Sequence, residues 1–328
     1  MFEQKTMMYL YVETPLHAGA GAGVGLVDLP IQRERVTGYP MINSGGIKGA
    51  LRGVARPDKG ASRVEKQKWF AAFGPPPPGD EESSAETQKG HDYAGALAFG
   101  DARLLLFPVR SMRGIFAWTT SRDLLCRFQR DAMTAGFELP WQVPEAPGAR
   151  HKAWVGKDND ITTDDSQLVL EEFQFEGQPD PRVDEIGQWL ARYALPPDNV
   201  YGYWRERLPR ALTILPEDAF RDFTQYGTEV ITRVQLHNEK KTVQAGPWVE
   251  EHLPTDTLMY VPVHASRARF DPRADEARQT LQTWSEKGGG REIMSYLTSL
   301  PLASIQLGGD MTVGRGQVRL RFQEQREV

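Results

Sequence analysis

Cysteine is nearly absent from this sequence: Cys126 is the only one in 328 residues. That excludes an internal disulfide and any zinc site built from several thiolates. Its setting, Asp123-Leu124-Leu125-Cys126-Arg127-Phe128, predicts a helix position packed in the core. No run of about eighteen apolar residues occurs, and the start MFEQKTMMYL has no basic segment followed by an apolar one. Neither a membrane span nor a secretory leader is supported, so a cytoplasmic protein with no membrane partner is expected. Nucleotide fingerprints are missing too. The glycines at 19, 21, 23 and 25 alternate, and the sixth position of a G-x-G-x-x-G frame falls on Val24 or Leu26. Gly309 and Gly314 have P-loop spacing, but Arg315 and Gly316 follow where Lys and Ser or Thr are required. No nucleotide cofactor is expected.

What is present is an ordinary soluble composition, 40% hydrophobic and 25% charged. The net charge of −5 speaks against a polyanionic partner only as an average. Between Arg33 and Lys68 nine basic residues face three acidic ones, so one surface is expected to be basic within an acidic chain. Just before that stretch lies the glycine loop Gly19 to Gly25, and Asp28 follows it. Glycines free to adopt positive φ can expose N–H groups to a phosphate backbone without side-chain obstruction. The combination points to RNA. On residue type alone, Asp28 before Leu-Pro is equally a turn former, and His17, eleven residues earlier, is a possible acid–base partner or a structural histidine.

The pattern along the chain mixes strands and helices without a strict βα rhythm, which predicts an α+β fold with a largely antiparallel sheet. Tyr9 to Val12 reads as a strand. Ser44 is expected to cap a helix from about Gly46 to Arg56, on which Lys48, Arg52 and Arg56 share a face. Further helices are expected at Ser62 to Phe73, at Ser121 to Ala132 with Ser121 as cap, at Arg182 to Tyr193, at Glu217 to Tyr226, and around Glu276 to Ser299 with a break at Gly288 to Gly290. Strands are expected at Ala96 to Phe107, Gln167 to Phe175, Ser304 to Leu307 and Gln317 to Phe322. Val230 to Leu236 is expected to pair with Met259 to Val263, and His237 to Trp248 between them reads as a protruding hairpin. The polar tract from Pro75 to Ser84 has nothing to bury.

Several stretches resemble one family. Thr14-Pro15-Leu16-His17, Leu29-Pro30-Ile31-Gln32-Arg33-Glu34, Thr37-Gly38-Tyr39-Pro40 and Ser44-Gly45-Gly46-Ile47-Lys48-Gly49-Ala50-Leu51-Arg52 are similar to the repeat-associated (RAMP) proteins of CRISPR systems. Within them the match is to the repeated backbone subunit of type III-B (Cmr) effector complexes. Val109-Arg110-Ser111, Arg113 to Trp118, Glu250-Glu251-His252-Leu253-Pro254, Gly308-Gly309-Asp310 and Gly314-Arg315-Gly316 extend it over most of the chain; the region 135 to 225 is the weakest.

The resemblance implies one RAMP domain over 1–328: a ferredoxin-like (RRM-like) palm with insertions at about 74–93 and 135–200 and a thumb at about 237–254. It implies cleavage of target RNA at regular intervals inside a stacked complex, with guide RNA, target single-stranded RNA, copies of the chain and other Cmr subunits as partners. Asp28 matches the family's essential aspartate and would hold a weakly bound Mg²⁺ or Mn²⁺. His17, Glu250 and Glu251 are secondary catalytic candidates, an aromatic commonly standing where His252 is. Gly21, Gly23, Arg33, Arg35, Ser44, Lys48, Arg52, Arg56, Lys240, Lys241, Gly308, Gly309, Gly314 and Arg315 are the RNA-binding candidates. A non-catalytic RNA-binding subunit and a stand-alone guide-processing endoribonuclease are the alternatives.

Overall fold

A computed structural model describes residues 2–23, 25–75, 93–270 and 279–323. Val24, the polar tract beyond Pro75 and the expected helix start at 276–278 lie outside the described residues. The strands are, in chain order, β1 (Gln4–Val12), β2 (Met41–Ile42), β3 (Leu97–Phe99), β4 (Ala102–Arg110), β5 (Phe116–Ser121), β6 (Lys152–Val155), β7 (Gln167–Leu170), β8 (Phe173–Pro179), β9 (Leu212–Leu215), β10 (Glu229–Leu236), β11 (Val243–His252), β12 (Leu258–Ala265), β13 (Ser304–Gln306) and β14 (Gln317–Phe322).

Twelve of these strands make one sheet in the order β13-β14-β1-β12-β4-β5-β9-β6-β8-β7, with β2 beside β4 and β3 beside β12. The sheet is mixed: β5–β9 and β6–β8 are parallel, and the rest of its pairs are antiparallel. Long connections separate the strands of each parallel pair, as parallel pairing requires. The segment 135–200 supplies β6, β7 and β8 to this same sheet. In β1, Met7, Met8, Tyr9 and Leu10 are all buried, so the strand is covered on both faces and reads as a continuous apolar run.

Six helices are α1 (Ser44–Val54), α2 (Arg63–Phe73), α3 (Arg122–Thr134), α4 (Pro181–Tyr193), α5 (Gly202–Ala211) and α6 (Glu217–Tyr226), of which the first four have side-chain N-caps. Ser62 and Glu65 form a reciprocal capping box on α2, Ser121 caps α3, and Asp180 caps α4 with proline at its first position. The cap of α1 is Asn43, whose side chain accepts from Gly45 N, rather than Ser44; asparagine is as good a cap, and it lies one residue earlier in extended backbone.

Two further expectations fail. Cys126 is exposed: α3 buries Leu124, Leu125, Phe128 and Ala132, and a residue two places after Leu124 faces about 200° away around a helix of 3.6 residues per turn. Met259 to Val263 is not the partner of Val230 to Leu236. β10 pairs with β11 as a separate two-stranded ribbon, from Glu229 opposite His252 to Leu236 opposite Val243. β12, buried along most of its length, instead lies between β1 and β4. The short turn after Leu236 folds the chain directly back, so the expected hairpin is longer than His237 to Trp248. Among the described residues, no helix is long and apolar enough to cross a membrane.

Candidate RNA-cleavage site at the foot of the ribbon

The glycine loop returns to the protein at the base of the β10–β11 ribbon. Ala20 N donates to Pro30 O at 2.9 Å and closes the loop; Gly21 within it has φ 95°, a conformation glycine adopts without penalty. Leu29 then runs beside β11: Leu29 N donates to Val249 O and Glu251 N donates to Leu29 O, both at 3.0 Å. This pairing fixes Asp28, whose Oδ2 accepts from Val249 N at 2.8 Å. The Asp28 side chain is exposed, so the carboxylate keeps acceptor capacity facing solvent.

His17 is held by an equivalent device. Leu16 and Leu253 exchange backbone hydrogen bonds at 2.9 and 2.8 Å, and His17 Nδ1 lies 2.7 Å from Glu251 O. A carbonyl only accepts, so Nδ1 carries the proton and Nε2 is the basic nitrogen of the neutral ring. The second glycine loop packs on the same residue: Gly309 N donates to His17 O at 2.9 Å. At Gly308, with φ 78°, an added Cβ would lie 2.2 Å from His17 O.

Alternation along β11 sends Glu250 and His252 to one face and Glu251 to the other. Glu251 is fully engaged: Arg33 Nη2 donates to it at 2.5 Å, Thr228 Oγ1 at 2.8 Å and Ile31 N at 3.0 Å. Arg33 also donates to Gly38 O and Thr224 O, both at 2.9 Å. Across the strand, Glu250 accepts from Trp248 Nε1 at 2.6 Å and from Arg233 Nη1 at 2.7 Å, and the same Arg233 nitrogen donates to Asp310 at 2.6 Å. Burial pushes the Asp310 carboxyl up, but the hydrogen bond and charge of Arg233 outweigh it and leave it below the usual value. Buried beside them, His252 has no hydrogen-bond partner at either ring nitrogen. Its ring centroid lies 5.4 Å from that of His17. Burial, then the charges of Arg315 and His17, push its pKa below the ordinary histidine value against the pull of Glu250 and Asp310.

The basic candidates divide. Arg33 is an internal strut. Lys48 Nζ donates to Leu97 O at 3.0 Å, and burial followed by the charge of Arg52 pushes its pKa down. Arg52 donates to Gly74 O at 2.6 Å and lies 4.2 Å from the Trp69 ring centroid. Ser44 N donates to Asp101 at 2.8 Å. Arg35 and Arg56 are exposed, as are Lys240 and Lys241 at the ribbon tip and Gly309 and Gly314 in the second glycine loop with Arg315 beside them; Gly23 is closed in, an added Cβ there lying 2.8 Å from Val27 O. The loops thus bring Asp28, His17, Glu250 and Glu251 to one place. Residue reading missed Arg233, Trp248 and Asp310 as members of that place. Arg233 could have been noticed as a charge in the apolar run Val230 to Leu236; Asp310 is far away in sequence and carries no local signal.

The sequence signature of the RAMP superfamily matches residues 9–319. The chain belongs to the RAMP superfamily. Over 320 residues this RAMP chain is 34% identical to the CRISPR system Cmr endoribonuclease Cmr4 of Pyrococcus furiosus, covering 96% of the chain and 94% of that protein. In three dimensions it superposes on the crystal structure of oligomeric Cmr4 from Pyrococcus furiosus with a TM-score of 0.68 at 27% identity, 98% of each chain being covered. It shares its fold with a chain of the type III-B Cmr-beta complex bound to cognate target RNA, with a TM-score of 0.64 at 19% identity over 98% of both chains.

Proposed function

We propose that this chain is the repeated, RNA-binding backbone subunit of a type III-B effector and that Asp28 cleaves the target RNA held on it. The observation carrying this reading is an exposed carboxylate, pinned by Val249 N–H at the foot of a projecting ribbon, in a chain 34% identical to a named endoribonuclease. The palm is read as ferredoxin-like, in a single domain with 135–200 as an insertion, and the ribbon as the thumb. Val230, Val234, Leu236 and Val243 are exposed along it, with Lys240 and Lys241 near its tip, a composition suited to parting stacked bases while gripping phosphates.

With the guide–target duplex kinked at the ribbon, one target nucleotide is splayed beside Asp28. The carboxylate takes the proton of its 2′-OH, and in-line alignment with the departing 5′-oxygen does most of the remaining work. His17 Nε2 faces the loop at Gly19; with Nδ1–H kept on Glu251 O, the ring acts as general acid only as the imidazolium, which gives the proton on Nε2 to that leaving oxygen and returns to the neutral form. Asp28 presents one exposed carboxylate, and Glu251 is saturated by Arg33, Thr228 and Ile31; this fits a mostly hydrated Mg²⁺ or Mn²⁺ better than a caged one. Such an ion would supply charge neutralisation at the phosphate. Guide RNA, target RNA, neighbouring copies and other Cmr subunits are the partners this reading requires.

In a complex reconstituted with guide RNA, Asp28→Asn is expected to abolish regularly spaced target cuts in Mg²⁺ while leaving target binding intact. Cuts persisting at the original rate would refute the assignment and favour a non-catalytic Asp28. Specific processing of guide precursor by the isolated chain would point to the stand-alone nuclease.

A further inference from the structure

Beneath the loop carrying Asp28, one cluster is left unexplained by RNA cleavage. Glu250, His252 and Asp310 each present one ligand atom, all within 4.8 Å of one another. His252 Nε2 is 3.8 Å from Glu250 Oε2 and 3.8 Å from Asp310 Oδ2. The His252 side chain is only 1% exposed, yet both its ring nitrogens lack a partner. Buried imidazoles nearly always find one, so an orphaned ring aimed at two carboxylates marks a missing ligand.

We infer that Glu250, His252 and Asp310 form a binding site for a first-row divalent transition metal, with Arg233 as the cation that stands in for it. Ligand bonds of about 2.1 Å place neighbouring donors roughly 3 to 3.6 Å apart, so side-chain adjustments of about 1 Å close the site. An imidazole nitrogen beside two carboxylates suits Mn²⁺, Co²⁺ or Zn²⁺ over Mg²⁺, which prefers oxygen and water. Arg233 Nη1 spans the two carboxylates at 2.7 and 2.6 Å and holds together two like charges that a dication would bridge more strongly. A cavity of about 180 Å³ lined by Ile231, Arg233, His252, Val313 and Arg315 provides the approach. The site draws its residues from β11 and from the distant glycine loop around Asp310, so a bound ion would tie the foot of the ribbon to that loop. It is distinct from the hydrated ion at Asp28.

The test is Co²⁺ titration of the purified, chelator-treated chain, followed by visible absorption and calorimetry. One tightly held ion per chain is expected. Affinity should fall about tenfold or more in both His252→Gln and Asp310→Asn and rise in Arg233→Met, where the competing cation is gone. No saturable binding by the native chain, or unchanged binding by His252→Gln, overturns the site. Should those variants misfold, anomalous diffraction from native crystals grown with Co²⁺ decides: an ion between the three side chains supports the site, and none there refutes it. Because the readout is binding, the outcome is independent of whether Asp28 cuts RNA.

Discussion

The two faces of β11 at the foot of the ribbon hold similar residues in opposite states. On one, Glu251 meets a guanidinium, a hydroxyl and a backbone N–H, and Arg33 spreads its remaining donors over two carbonyls. On the other, Glu250 and Asp310 share one guanidinium nitrogen while His252 between them bonds to nothing. A saturated buried network rigidifies what it joins; a half-satisfied one costs stability and persists where something else uses it. The contrast separates a saturated carboxylate from a half-satisfied cluster one residue away on either side of it.

Removing Glu251 should have the largest effect. Glu251→Ala strands the Arg33 guanidinium and the Ile31 N–H, and a loss of about 3–5 kcal/mol in urea unfolding is expected; a loss below about 1 kcal/mol would erase the contrast. Next, His252→Phe in metal-free buffer should stabilise the fold by about 1 kcal/mol, because an apolar ring of similar size removes two buried, unsatisfied nitrogens. Destabilisation there would mean that the imidazole is satisfied after all. The smallest effect is one of pH. A histidine with a lowered folded pKa binds its proton more readily when unfolded, so its contribution is intact above about pH 6.5 and is lost as pH falls below that. Thermal stability should therefore decline from pH 7.5 to 5.5. His252→Phe should flatten part of the decline, leaving the share of His264, which burial and then Lys5 also push down. An unaltered pH profile in His252→Phe would show that the ring is not held neutral.

Local signals served well where the chemistry is local. The helix over Ser62 to Phe73, the cap at Ser121, all of α4 but its first residue and the full extent of α6 (Glu217–Tyr226) were legible, as was the strand β14. They served poorly for pairing and facing. β12 resembles any apolar strand, and its place between β1 and β4 depends on closing long loops that no window of sequence contains. Cys126 follows two leucines, yet helical rotation turns it outward. The count of basic residues from Arg33 to Lys68 was right, but it could not reveal that Arg33, Lys48 and Arg52 spend their donors on carbonyls and a carboxylate inside the fold.

By itself the sequence determined the family, the glycine loop leading to Asp28 and the single cysteine. These follow from residue types and short spacings, which need no partner at a distance. The tertiary structure alone decided that Asp28 is clamped by Val249, that Glu250 and Glu251 serve opposite faces, and that Asp310 joins His252. Strand alternation and backbone pairing between remote segments set those facts, because free energy in a fold depends on which groups meet in space rather than on which are neighbours in the chain.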